Sequence, residues 1–252
     1  MNILRKLISS LSTTSYQPFI VNRTDYHSHI LPGVDDGVST IEESIAILEL
    51  FEAAGIEKLW LTPHIMEEYP NEPSQLISIF NELKSSYDGR LELALASENM
   101  IDQLFAERLS TGEILPITCP ASSLPKSTSL LLSGVEKDKN VDLLLVETSY
   151  FSRPAYFIEV IEDIISKGYI PLLAHPERYI YMGADDYKQL YDMGVLFQLN
   201  IASLSGSYGP DVKQRAKALL KDNYYILSGS DTHSFRQAEY ITSLFDESVF
   251  KN

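Results

Sequence analysis

Residues 19–37 read FIVNRTDYHSHILPGVDDG: an apolar run, then two histidines one residue apart, then two adjacent aspartates and a glycine. Functional side chains of parallel α/β proteins gather at the carboxyl ends of the strands, so an apolar run that ends in imidazoles and carboxylates is typical of a strand that opens onto a site. Charged groups placed so near a buried strand must be paired or bound to a metal ion. The stretch therefore predicts a strand over 19–27, followed by a polar loop that belongs to a site.

The rest of the chain repeats this unit. Apolar runs rich in β-formers alternate with longer segments of helical periodicity, a pattern that indicates βα units around a parallel sheet or barrel. The predicted strands are 19–27, 56–64, 91–98, 141–148, 169–176, 195–200 and 224–231. The predicted helices are 39–55, 73–87, 99–110, 154–168, 184–194, 209–222 and 234–246. In the first helix, Ser39 is the predicted cap, with Glu42 three residues on, and Gly55 ends the helix.

Composition limits the classes of function. The chain has 252 residues, 44% of them hydrophobic, and a formal net charge of −15. That charge argues against a nucleic-acid groove or an anionic membrane surface, both of which favour basic patches. A single cysteine, Cys119, excludes an internal disulfide framework and is typical of a reducing compartment, so a cytoplasmic location is expected.

Two segments depart from the repeated pattern. Residues 1–18 carry an Arg-Lys pair inside their apolar residues, which argues against a signal peptide or a membrane span and favours a short amphipathic helix packed on the domain. Residues 111–140 contain three prolines and exceed an ordinary connection in length, so they are predicted to form a loop excursion, either a lid or a surface feature. The remainder, 19–252, is predicted to be one domain.

The polar residues follow the predicted strand ends. All five histidines and four acidic residues fall there: His27, His29, Asp36, His64, Glu98, Glu147, His175, Asp231 and His233. A single histidine after a strand is more often structural than a metal ligand, and Asp35-Asp36-Gly37 alone would predict only a turn. The conjunction of nine such groups on one face favours a metal site. Imidazoles with carboxylates suit Mn²⁺, Fe or Zn²⁺, and nine ligands suffice for two or three ions.

The order of these motifs resembles a known family. D-x-H-x-H-x-L-P-G-x-D-D-G (25–37), T-P-H (62–64), A-H-P-E-R-Y (174–179) and S-D-x-H (230–233) are similar to the PHP phosphoesterases. Within that family they resemble the manganese-dependent protein tyrosine phosphatases of bacterial capsule and exopolysaccharide loci. The resemblance implies a distorted TIM-like (β/α)7 barrel, an α/β fold, with a trinuclear metal centre.

The resemblance also implies a distribution of ligands. One ion would take His27, His29, Glu98 and Asp231; a second would share Glu98 and add Glu147 and His175; a third would take Asp36, His64 and His233. Asp25 would be a carboxylate that orients a histidine, whereas Asp35 is expected to be only a loop carboxylate beside the ligands. Arg178 and Arg236 would clamp the phosphate, because a guanidinium matches phosphate oxygens bidentately. With these arginines, His64 and Asp231 are the predicted catalytic residues.

The implied activity is hydrolysis of phosphotyrosine, on the C-terminal tail of a tyrosine kinase that regulates capsule or exopolysaccharide synthesis. Water activated by the metals would attack phosphorus without a phosphoenzyme. A cysteine-based phosphatase is excluded, because its C-x5-R loop would need arginine where this chain has Pro125. The oligomeric state stays open.

Three alternatives remain. A small-molecule phosphatase of the histidinol-phosphate type would share every ligand. An amidohydrolase-type metalloenzyme is disfavoured, because it does not need Asp36 and His233. A non-catalytic metal-binding regulator of exopolysaccharide export is disfavoured by the presence of all nine ligands.

Overall fold

The computed structural model describes residues 23–124, 136 and 139–244. The helix predicted for 1–18 lies outside these residues. Within the described ranges, no helix is long and apolar enough to cross a membrane.

Strands and helices alternate along the described chain. The strands are β1 (Thr24–Asp25), β2 (Lys58–Leu61), β3 (His64–Ile65), β4 (Glu92–Leu95), β5 (Glu98–Met100), β6 (Ile117–Pro120), β7 (Asn140–Glu147), β8 (Ile170–Ala174), β9 (Leu196–Asn200) and β10 (Tyr225–Gly229). The α-helices are α1 (Ile41–Ala53), α2 (Pro73–Ser86), α3 (Gln103–Thr111), α4 (Phe157–Ser166), α5 (Ala184–Asp192), α6 (Pro210–Lys221) and α7 (Phe235–Leu244). Short 3-10 helices span Ala121–Ser123, Pro176–Arg178 and Ile201–Leu204.

The strands form two parallel sheets. One has the order β1-β2-β4, and the other has the order β10-β9-β8-β7-β5-β3, with β6 added on β7. Strands β2 and β3 are separated by only two residues, as are β4 and β5, so each pair continues one predicted strand from the first sheet into the second. The fold is therefore α/β with parallel sheets, as predicted.

Backbone hydrogen bonds also join the first strand region to the last. Tyr26 N donates to Ser228 O at 3.2 Å, and Asp231 N donates to His27 O at 2.9 Å. The approach is close, because a Cβ on Gly229 would lie 2.3 Å from the Cβ of His27. Glycine at this position therefore lets β10 lie directly against the segment that carries the first histidines.

Alternate residues of the central strands pack into different parts of the core. Leu143 and Leu145 of β7 belong to one buried cluster, with Trp60 and Leu172, whereas Leu144 belongs to another that includes buried residues of α4. Successive side chains of a strand point to opposite faces, so both faces of β7 are covered, as is usual for parallel strands.

The described first part of the segment 111–140 contains regular secondary structure. It contains β6, which pairs antiparallel with β7 in the register Ile117 to Leu143, and then the 3-10 helix Ala121–Ser123. Ile117 is fully buried. At least this first part of the segment is therefore an edge strand of the sheet, contrary to the prediction of a loop throughout.

The N-cap of helix α1 lies one residue later than predicted. Its cap is Thr40, whose side chain accepts a hydrogen bond from Glu43 N, while Glu43 Oε2 accepts one from Ser39 N. The predicted cap, Ser39, therefore lies one position before the cap. Gly55, with φ of 91°, follows the C-terminal end of the helix as predicted.

Candidate metal centre

The carboxyl ends of the strands bring the predicted ligands together. His27 and His29 follow β1, and the other side chains stand at the ends of the later strands: His64 in β3, Glu98 in β5, Glu147 at the end of β7, His175 after β8, and Asp231 and His233 after β10. Asp36 lies in the loop between β1 and α1. Eight of these nine residues are buried or nearly so, and Asp36, with a side chain 52% exposed, marks the open side.

Two of these residues have an unusual backbone. His175 has φ of 32° and Asp231 has φ of 54°, so two of the three described non-glycine residues with positive φ are predicted ligands. Left-handed conformations outside glycine cost free energy and cluster at functional sites. The chain therefore leaves β8 and β10 through a sharp turn at the residue that carries the ligand.

The two histidines after β1 have ring nitrogens that are close enough to share one ion. Their Nε2 atoms lie 3.0 Å apart. His27 Nδ1 lies 2.7 Å from Gln198 Oε1 and His29 Nδ1 lies 2.9 Å from Asp35 Oδ2, so in the neutral rings both Nδ1 atoms donate and both Nε2 atoms carry lone pairs. Two lone pairs at this distance need a proton or a metal ion between them, and two nitrogens about 2.1 Å from one ion lie about 3.0 Å apart when they meet at a right angle.

Glu98 stands at the centre of the site. Its Oε2 lies 3.1 Å from His27 Nε2 and 3.2 Å from both His29 Nε2 and His64 Nδ1. This buried oxygen receives no hydrogen bond of good geometry from any described residue. Its other oxygen, Oε1, lies 3.1 Å from His175 Nε2. The two oxygens of Glu98 thus face different histidines, as a carboxylate that bridges two ions must.

Glu147 and His64 extend the site from Glu98. Glu147 Oε1 lies 3.2 Å from His64 Nδ1, and Oε2 lies 3.7 Å from His175 Nε2. On the other side of its ring, His64 Nε2 lies 3.6 Å from Asp36 Oδ1, which is 3.5 Å from His233 Nε2. His64 therefore stands between a buried group of donors and a group at the open side.

The donor atoms fall into three groups that overlap. Within each group the atoms lie within 4.8 Å of one another: His29, Asp36, His64 and His233; His27, His29 and Glu98; His64, Glu98 and Glu147. The third group has His64 where the resemblance implies His175, and neither His175 nor Asp231 belongs to any of the three. Which residues share which ion stays a prediction, while the donors fit two or more divalent ions.

The electrostatics of the site also favour cations. Burial alone would lower the pKa of His27, but the carboxylates of Glu98 and Asp231 raise it to about 9. Burial likewise opposes the charge on His64, and Glu147 and Glu98 raise its pKa to about 10. Burial disfavours ionised Asp231, yet the surrounding imidazoles lower its pKa to about 2. Nearby positive charge, from protons or from metal ions, therefore stabilises the ionised form of these buried carboxylates.

Among the described residues, Asp25 accepts hydrogen bonds from backbone N–H groups and not from an imidazole, contrary to the expectation. Its Oδ1 accepts hydrogen bonds from the backbone N of His27 at 3.1 Å and of Ser230 at 2.9 Å. It therefore ties the end of β1 to the loop after β10. The residue that orients the His27 ring is Gln198 of β9, which the sequence analysis missed. An isolated glutamine inside the apolar run VLFQLN was the available signal.

Asp35 has a larger role than predicted. Its side chain is buried, and its Oδ2 accepts from His29 Nδ1 and from His64 N, each at 2.9 Å. Burial would raise the pKa of Asp35, but these hydrogen bonds hold it well below its ordinary value. A carboxylate that receives the second ring nitrogen of a ligand histidine fixes its tautomer and orientation. Asp35 thus does for His29 what was expected of Asp25.

The two arginines differ in position. Arg178 Nη1 donates to Asp231 Oδ2 at 2.8 Å, so its guanidinium lies beside the predicted ligands. Arg236 is exposed on the first turn of α7, and it forms no ion pair with any residue that the structure describes. A phosphate-binding role is compatible with the position of Arg178, and the role of Arg236 stays a prediction without a supporting contact.

These features define a class: α/β proteins of parallel strands that carry a histidine- and carboxylate-rich metal site at the carboxyl ends. A family model described as "Capsular polysaccharide synthesis, CpsB/CapC" matches residues 23–121 and 133–240. The chain belongs to this CpsB/CapC family, which confirms the resemblance drawn from the motifs.

Relatives and solved structures agree with this assignment. The tyrosine-protein phosphatase YwqE of Bacillus subtilis is 27% identical over 230 residues, 86% of this chain and 80% of that protein. The tyrosine-protein phosphatase CpsB of Streptococcus agalactiae serotype V is 25% identical over 218 residues, 83% of this chain and 82% of that protein. A solved structure, from work on YwqE of Bacillus subtilis and CpsB of Streptococcus pneumoniae as metal-dependent tyrosine phosphatases, matches with a TM-score of 0.70 at 25% identity and covers 90% of each chain.

Proposed function

We propose that this protein is a metal-dependent phosphomonoester hydrolase that acts as a protein tyrosine phosphatase. The observation that carries the proposal is the cluster of nine imidazole and carboxylate groups at the strand ends, with the guanidinium of Arg178 hydrogen-bonded to one of them, Asp231. Such a set provides negative charge for divalent ions and a guanidinium for phosphate oxygens within one site.

The donors would hold two or three divalent ions, with Mn²⁺ favoured over Fe and Zn²⁺. When bound, such ions activate water and stabilise the charge on the phosphoryl oxygens. The residues of the chain would bind these ions and orient the ligands. Glu98 would hold two of these ions, because its two oxygens face different histidines. Asp35 and Gln198 hold His29 and His27 with Nε2 free for a metal.

Arg178 would bind the phosphate. One of its five N–H groups donates to Asp231, which leaves the remainder of the planar fork available to the equatorial oxygens of a phosphoryl group. For the leaving phenolate, a water or the nearby His64 would supply the proton, while Asp231, whose pKa is lowered, would stay ionised and hold Arg178. The lone cysteine takes no part, because Cys119 is buried in β6 rather than placed among the ligands.

We also infer that the strands close into a distorted (β/α)7 barrel. Support comes from the backbone hydrogen bonds between the segments around Tyr26 and Ser228 and from the parallel bridge between Ser28 and Thr232. Counting β2 with β3 and β4 with β5, seven parallel strand positions follow in chain order around such a ring.

The proposed substrate is a phosphotyrosine on the C-terminal tail of a bacterial tyrosine kinase, in the cytoplasm. Membership of a capsular polysaccharide synthesis family supports a kinase of that pathway. The competing substrate class is a small phosphomonoester of the histidinol-phosphate type, which would need the same ligands.

The two substrate classes are separated by comparing kcat/KM of the Mn²⁺-loaded protein for a phosphotyrosine peptide and for histidinol phosphate. The proposal expects the peptide to be preferred at least tenfold. A preference for histidinol phosphate would overturn it. Cys119→Ser should leave the peptide rate unchanged, because the cysteine is not a nucleophile in this account.

A further inference from the structure

The surroundings of Arg178 contain two tyrosines that the proposed chemistry leaves without a role. The Cζ atom of Arg178 lies 4.4 Å from the ring centroid of Tyr150 and 4.3 Å from that of Tyr208. Both distances are well within the range of a cation–π contact. The guanidinium is thus held by two aromatic rings and by the hydrogen bond to Asp231.

The two rings come from separate loops. Tyr150 follows β7 three residues after Glu147, and its backbone O accepts a hydrogen bond from Ile180 N at 2.9 Å, which ties its loop to the one that carries Arg178. Tyr208 lies before α6 in the turn Gly206–Gly209, which is closed by a hydrogen bond from Gly209 N to Gly206 O.

Tyr208 is also fixed through its hydroxyl. Its oxygen accepts a hydrogen bond from Asn200 Nδ2 at 3.2 Å, and the same amide group donates to Asp231 Oδ2 at 2.8 Å. Asp231 in turn accepts from Arg178. The contacts form a closed circuit from Arg178 through Asp231, Asn200 and Tyr208 back to Arg178.

We propose that Tyr208, with Tyr150, is a positioning residue that holds the Arg178 guanidinium in the orientation that binds phosphate. The inference rests on the proposed function, because it assigns Arg178 to the phosphate. A long arginine side chain loses rotamer freedom when it is fixed. Rings that fix it before phosphate arrives remove much of this cost from binding.

The test measures binding of inorganic phosphate to the Mn²⁺-loaded protein by titration calorimetry. Tyr208→Leu removes the ring and should weaken phosphate binding roughly 3- to 30-fold, the range expected for one cation–π contact. Tyr208→Phe keeps the ring and should stay within about twofold of wild type. In steady-state assays with p-nitrophenyl phosphate, Tyr208→Leu should raise KM more than it lowers kcat.

A double-mutant cycle separates positioning from general packing. If Tyr208 acts through Arg178, Tyr208→Leu should have little further effect on phosphate binding once Arg178→Ala is present. Additive effects of the two changes would overturn the inference. Tyr150→Leu provides a second variant if Tyr208→Leu fails to fold. Tyr191→Leu is the matched control. Tyr191 lies on α5, before the amino end of β9 and so away from the carboxyl ends of the strands, and its ring also makes an aromatic contact, with Tyr224.

The Mn²⁺ content of each variant is measured alongside. Loss of Mn²⁺ from Tyr208→Leu in proportion to the loss of phosphate binding would overturn the inference, because the effect would then pass through the ligand Asp231. Wild-type affinity for phosphate in Tyr208→Leu would also overturn it. Absence of Mn²⁺-dependent hydrolysis in the wild-type protein would instead contradict the proposed function.

Discussion

At the scale of single residues, two of the predicted ligand histidines, His27 and His29, are oriented by partners that are not predicted ligands. Asp35 and Gln198 each accept a hydrogen bond from the Nδ1 of a histidine and thereby leave its Nε2 directed at Glu98. The two partners differ in charge, because Asp35 is a carboxylate and Gln198 a neutral amide. A charged partner raises the basicity of the ligand more than a neutral one does.

Asp35→Ala should therefore weaken metal binding without removing a ligand. We expect the affinity for Mn²⁺ to fall about 10- to 100-fold, the usual cost of losing such a partner. The measurement is a competitive titration with a chelating indicator. Glu68→Ala, an exposed acid on the nearby loop, is the control. Unchanged Mn²⁺ affinity in Asp35→Ala would show that His29 does not need this carboxylate.

The different positions of Arg178 and Arg236 predict different losses of activity when each is replaced by alanine. Arg178→Ala should lower kcat/KM for a phosphotyrosine peptide by 100-fold or more, roughly the effect of removing one preorganised charged donor. Arg236→Ala should change it less than about threefold, because its side chain is exposed and forms no ion pair with a described residue. A large loss in Arg236→Ala would mean that α7 carries the phosphate clamp after all.

At the scale of elements, the end of α1 is fastened to the segment before β4 by one carboxylate. Glu52 accepts hydrogen bonds from the Tyr87 hydroxyl and from Arg90 N and Nε. These contacts, the Tyr87 bond first, lower the pKa of Glu52 from its ordinary 4.5 to about 2. The ionised carboxylate is therefore favoured in the folded state.

The sign of the pH dependence follows from that shift. The stabilisation is fully present above pH 4.5 and is lost as the pH falls towards 2. Glu52→Gln should lower the free energy of unfolding at pH 7, and its difference from wild type should shrink as the pH falls between 4.5 and 2. Urea unfolding at several pH values measures this. Glu49→Gln, exposed on the same helix, should show no such trend; a constant difference in Glu52→Gln would refute the assignment.

Substitutions in strand β6 test whether this strand packs as part of the core or covers it as a lid. Ile117→Ala should lower the free energy of unfolding by about 2–5 kcal/mol, as for other fully buried aliphatic side chains. Thr118→Ala, on the exposed face of the same strand, should cost less than about 1 kcal/mol. Denaturant titration measures both. Equal, small effects would indicate that β6 is a detachable cover rather than part of the sheet.

Sequence reasoning succeeded for elements whose pattern is local, and it placed the candidate ligands together at the strand ends. Strand ends, helical periodicity and the H-x-H spacing depend only on residues that are close together in the sequence. It failed where the deciding contact joins distant residues: Gln198 meets His27 across 171 positions, and Asp25 meets Ser230 across 205. The choice between Asp25 and Asp35 as partner of a histidine depends on the loop conformation, which no periodicity encodes. β6 was missed because the prolines and polar residues of the segment 111–140 resemble a loop, while the pairing of β6 with β7 decides its structure.

At the scale of the whole molecule, the ligands come from the ends of most of the strands. His27 and Asp231, from the first and last strand regions, lie within 3.5 Å through Nε2 and Oδ1. Assembly of the site therefore requires the complete sheet arrangement. A net charge of −15 is compatible with the proposed phosphate binding, because two or three divalent ions and Arg178 would supply positive charge at the proposed site.

The most direct test of the central claim is phosphate release from a phosphotyrosine peptide by the full-length protein, first stripped with a chelator and then titrated with Mn²⁺. The account predicts no release from the stripped protein, recovery that saturates at two or three Mn²⁺ per chain, and no recovery in His175→Ala, which stays folded. Release that persists without metal, or full recovery in His175→Ala, would contradict it.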